Sequence, residues 1–97
     1  MGSGYVKMTS AVKNVATTTT ELFASNDSAK YRLIQNDDET EDIWLKIGAA
    51  AVAHQGIFLA PKSSYVMCRA FDNLDTRAIN AIHAGTGTKV VLVTEGV

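Results

Sequence analysis

A single cysteine, Cys68, and a single proline, Pro61, occur in 97 residues. One thiol closes no intramolecular disulfide, so stability must come from packing or from partners. Small secreted domains usually carry several cysteines, and their scarcity here favours assembly in a reducing cytoplasm. Long apolar runs are missing too. The longest weakly polar stretch, Ile47 to Ala53, is too short to cross a bilayer as a helix. Met1 to Tyr5 has neither a charged segment nor an apolar one after it, and so predicts no signal peptide. No excess of basic charge exists: nine basic and ten acidic residues give a net charge of −1. That argues against a nucleic-acid partner.

Catalytic signatures are equally scarce. The chain has no G-x-S-x-G, no phosphate-cradling glycine loop and no dinucleotide fingerprint. His54, His83 and Cys68 could in principle supply metal ligands, but no pair has the spacing of a zinc site. Cys68 reads as a buried structural thiol. Asp37 to Asp42 holds five carboxylates in six positions but lacks a calcium-loop pattern and its glycine. It reads as a solvated hairpin loop. The chain is therefore expected not to be an enzyme, with no catalytic residue, no cofactor and no metal.

What is present is a succession of short β signals. Hydrophobic residues make up 46% and charged ones 20%, ordinary globular usage. Ile43-Trp44-Leu45-Lys46-Ile47 alternates with period two, Ile43, Leu45 and Ile47 on one face and Trp44 and Lys46 on the other. Further strands are expected at Thr20–Ala24, Lys30–Gln35, Ile57–Ala60, Ser64–Ala70, Arg77–His83 and Lys89–Glu95. Within Lys30–Gln35, Tyr31 and Leu33 alternate against Arg32. Polar clusters or glycines separate these strands, and Ala49 to Ala53 fits a packed loop or a single turn. Seven to eight strands with such short connections predict an all-β, antiparallel sandwich or barrel.

Residues 1–20 differ, being rich in Thr, Ser, Gly, Val and Ala and ending in four threonines. They are read as an extended N-terminal arm to a β-sandwich domain over residues 21–97, or alternatively as a first edge strand around Val12 to Thr18. Trp44 stands out on the polar face of its strand. It is either an exposed anchor, for a protein or as a sugar-stacking platform beside Tyr65, or the centre of a second small core. The expected interface comprises Tyr5, Val6, Met8, Val12 and Val15 of the arm with Trp44 and Lys46.

The run Tyr31-Arg32-Leu33-Ile34-Gln35-Asn36, the acidic segment after it, Ile43 to Gly48, Gly56-Ile57-Phe58-Leu59-Ala60-Pro61, Ser64-Tyr65, Ala78 to Gly85 and Val90 to Glu95 form a pattern. It resembles one found in small virion structural proteins of tailed bacteriophages, and extends from about Leu22 to Gly96. The resemblance implies a β-sandwich capsid cement (decoration) protein, or else a head-fibre or tail accessory subunit. It implies a homo-oligomer, a trimer favoured, on the major capsid protein or other virion proteins, assembled in the host cytoplasm. The resemblance transfers no catalytic residue, and charge and hydropathy leave no membrane or nucleic-acid partner expected.

Overall fold

The computed structural model describes residues 7–97. Among these residues eight strands run in chain order: β1 (Met8–Val15), β2 (Thr20–Phe23), β3 (Tyr31–Asn36), β4 (Ile43–Ile47), β5 (Ile57–Leu59), β6 (Ser64–Cys68), β7 (Ile79–Ile82) and β8 (Lys89–Gly96). A 3-10 turn, Arg69–Phe71, follows β6 and is closed by Asp72 in the left-handed region.

The strands form two four-stranded sheets, ordered β1-β8-β3-β6 and β2-β7-β4-β5, with all neighbours antiparallel. Only β4 and β5 are both consecutive and paired; every other connection passes from one sheet to the other. That alternation is the double Greek key of a jelly roll. The expected all-β sandwich is thus the observed architecture. The acidic segment after β3 is not a hairpin, because β3 and β4 lie in different sheets. It is a crossing between layers.

Period-two strands place their inward residues between the sheets. Val15, Ile34, Met67, Val91 and Val93 from one sheet meet Leu22, Phe23, Ile43, Leu45, Leu59, Ile79 and Ala81 from the other. Gly56 is glycine for a steric reason: its φ is +86°, and a Cβ there would stand 2.2 Å from the Leu45 carbonyl oxygen.

Over its described part the N-terminal segment is an edge strand, but at Met8–Val15 and not at Val12 to Thr18, which overlaps it only from Val12 to Val15. Met8–Val15 pairs with β8 without interruption, from Met8 opposite Gly96 to Val15 opposite Lys89. Val15 is fully buried in the core. Residues 8–15 therefore belong to the sandwich itself, because β8 supplies the hydrogen-bonding edge they need. Tyr5 and Val6 lie outside the described residues.

Candidate interaction surface

The buried polar side chains are spent on holding the layers together. Arg32 points inward from β3 and is fully buried. Its Nε donates to Glu95 Oε2 at 2.8 Å, and its terminal nitrogens donate to the carbonyls of Ala24, Asp75, Thr76 and Arg77. The guanidinium also stands 4.9 Å from the Phe23 ring centroid. One side chain thus ties β3 and β8 to the segment after β2 and the segment before β7. The buried Asn36 amide donates to the carbonyls of Glu41, Leu59 and Ala60, while its Oδ1 accepts from the Asp38 N–H. His83 Nδ1 accepts from the Gly85 N–H, so Nε2 carries the proton and donates to the Gly87 carbonyl at 2.7 Å. No buried side-chain nitrogen or oxygen among the described residues lacks a partner.

Among the described residues no three His, Cys, Asp or Glu side chains gather as a metal site. Asp38 accepts from the N–H groups of Thr40 and Glu41, which lowers its pKa, and so shapes the crossing between β3 and β4. Cys68 is buried and free. His54 is exposed, while His83 is enclosed in the turn that leads to β8.

Asp75 is the most strongly shifted acid. The Arg77 guanidinium and the Arg77 N–H both donate to its carboxylate and lower its pKa to about 2. A carboxyl lowered from 3.8 contributes stability above its unfolded value, and that contribution disappears as pH falls from about 4 to 2. The pair is partly exposed, so solvent screening holds the effect within about 1 kcal/mol. Thermal melts of Asp75→Asn and the wild-type protein should differ above pH 4 and converge near pH 2. A constant difference across that range would refute the linkage.

The two outer faces differ. Over the β2-β7-β4-β5 sheet the chain folds back on itself between Gly48 and Gly56. The Asn80 side chain donates to the Ala49 carbonyl, and the Ala51 N–H donates to Thr19 Oγ1. Trp44 is only 8% exposed, packed with Ala51, Ala53 and Ile82 in a second small core. The His54 ring lies 4.3 Å from the indole centroid and that of Phe58 6.1 Å. Trp44 is therefore not an exposed anchor. Lys46, on the same face, is half-buried.

Over the β1-β8-β3-β6 sheet, alternation places Met8 and Val12 of β1, Leu92 of β8, Leu33 of β3 and Val66 of β6 on the outer face. Val12 is opposite Leu92, and Leu33 is opposite Val66. Met8 and Val12 are 47% and 62% exposed, and with Phe58 they are the exposed large apolar side chains of the two sheets. Of the expected interface residues, the structure leaves Met8 and Val12 on the surface and withdraws Val15 and Trp44 into cores. Leu33, Leu92 and Val66 were not singled out from sequence, because alternation does not say which face of a strand meets the core. Comparison with known proteins finds no matching family model, no similar curated protein and no similar solved structure.

Proposed function

We propose that this protein is a structural subunit of a tailed-phage particle, a decoration protein that stabilises the head by oligomerising on the shell. The observation behind the assembly role is the apolar outer face of the β1-β8-β3-β6 sheet, where Met8, Val12, Leu33, Leu92 and Val66 stand together. A small domain gains stability by mass action from such a contact. The station on a phage head is supported by the sequence resemblance from Leu22 to Gly96. Jelly rolls serve in shells and in carbohydrate-binding domains alike, so the fold does not select between them. For a sugar-binding module the burial of Trp44 removes the stacking platform on which that reading relied.

Removing residues 1–20 would delete β1 and a core valine, so it does not separate attachment from folding. A substitution on the outer face does. Leu33→Glu combined with Val12→Glu should leave the melting transition cooperative and remove the protein from purified particles, as seen by imaging and by gel. Particles carrying the double variant at wild-type occupancy would overturn the proposal.

A further inference from the structure

Each four-stranded sheet ends in two edge strands, and exposed edges invite pairing unless they are blocked. Three of the four are short or blocked. β5 has three residues, and β2 has four with a break in register between Glu21 and Phe23. β6 has five residues, and on it the Asn73 side chain accepts from the Cys68 N–H and donates to the Val66 carbonyl, taking up two of the outward groups. β1 has none of these protections. It runs eight residues without a bulge or a proline, and Lys13 is its only charged side chain.

The hydrogen-bond alternation identifies which groups of β1 are unspent. Lys7 and Val97 exchange both backbone bonds, at 3.2 and 2.9 Å. In an antiparallel ladder the bonded positions then recur every second residue. Thr9, Ala11, Lys13 and Val15 face β8, and the N–H and C=O groups of Met8, Ser10, Val12 and Asn14 face outward. The free edge stops there, because the Ala16 N–H donates to Thr20 Oγ1 and its carbonyl accepts from the His83 N–H.

The geometry points to a second copy of this chain as the occupant of that edge, paired antiparallel to β1 about a two-fold axis at Ala11. A two-fold axis normal to the sheet keeps inner faces with inner faces, which restricts the register to three central choices. Centred on Ala11, Met8 bonds Asn14 of the second copy and Ser10 bonds Val12, so all four free positions of each strand are used. Lys13 then lies opposite Thr9, and Lys7 opposite Val15. Centred on Val12, Met8 would face Ala16, whose groups are taken. Centred on Ser10, Lys7 would face Lys13 twice, and directly opposed like charges are destabilising. Only the Ala11 register satisfies both the hydrogen bonds and the charges.

The product is one continuous eight-stranded sheet whose apolar outer faces join on the same side. Its two-fold symmetry gives an even-numbered assembly in place of the trimer implied by the sequence resemblance. The pairing does not rest on the phage assignment, and each can fail without the other.

Light scattering on the size-exclusion eluate of the full chain should return twice the monomer mass of 10.4 kDa. Ser10→Pro removes an N–H that points away from β8, so it should yield monomers with an unchanged far-ultraviolet spectrum. In a Cys68→Ala background, Ala11→Cys should form a disulfide-linked dimer under mild oxidation, while Met8→Cys, opposite Asn14, should not. A monomeric wild type at high micromolar concentration would overturn the pairing, even if a virion protein were then found on β1. A dimer that survives Ser10→Pro, or cross-links at Met8 and not at Ala11, would do the same.

Discussion

Replacing Arg32 with leucine should destabilise the protein by about 3–5 kcal/mol, the range for removing one partner of a buried ion pair. The substitution leaves the Glu95 carboxylate without its guanidinium and strips a donor from the carbonyls of Ala24, Asp75, Thr76 and Arg77. Arg32 is fully buried and the Glu95 side chain is 22% exposed, so water replaces the lost donors only in part. Each kcal/mol shifts the melting temperature of a domain this size by about 4–8 °C, so a fall of roughly 12–40 °C is expected. Glu95→Gln should cost less, since its amide oxygen still accepts from the guanidinium. Calorimetric melts of both variants test the ordering. A shift under about 5 °C for Arg32→Leu would show that the clasp does not hold the layers together.

Trp44→Ala should cost about 3 kcal/mol, the lower end of the range for emptying a large aromatic site. Trp44 is covered by one loop, and that loop can partly collapse into the space. Its packing against Ala51, Ala53 and Ile82 holds the segment between Gly48 and Gly56 on the outer face of β4 and β7. Losing the indole should therefore speed hydrogen exchange at the Ala51 amide, which now bonds Thr19 Oγ1. Exchange in β1, β3 and β8 should rise only by the amount that the global loss of stability sets. Denaturant unfolding gives the magnitude and amide exchange gives the location. A Trp44→Ala protein of wild-type stability would return this tryptophan to the surface.

These two residues mark how far the sequence could be read. On β4 the alternation alone gives the faces correctly: Ile43 and Leu45 are in the main core and Trp44 is on the far side. On β3 the same reasoning groups Tyr31 with Leu33 against Arg32, and hydropathy would place the arginine outside. The structure reverses the faces, putting Arg32, Ile34 and Asn36 inward. Four carbonyls and one carboxylate offset the desolvation of the guanidinium. They come from segments far apart in the chain, so no local pattern announces them. The same reasoning explains why Leu33 goes unnoticed as a surface residue.

For the candidate surface, the exposed β1 residues Met8 and Val12 were legible in their β-branched and apolar neighbourhood. The burial of Val15 was not, because it depends on where β1 meets β8 and how far the ladder extends. Nor could the sequence show that Asn73, in a turn cluster, takes up two of the outward groups of the short β6. That cover is what leaves β1 as the long unprotected edge.

By itself, then, the sequence determined the class of structure. Period-two patterning, short polar breaks and too few residues for crossover helices leave an antiparallel two-layer β domain as the consistent outcome, and side-chain alternation is a local property of extended backbone. Strand order, the inward face of β3, the covering of Trp44 and the free edge of β1 were decided only by the tertiary structure. Each depends on which distant segment supplies a hydrogen-bonding partner or an apolar contact, and such pairings follow from the packing of the two sheets.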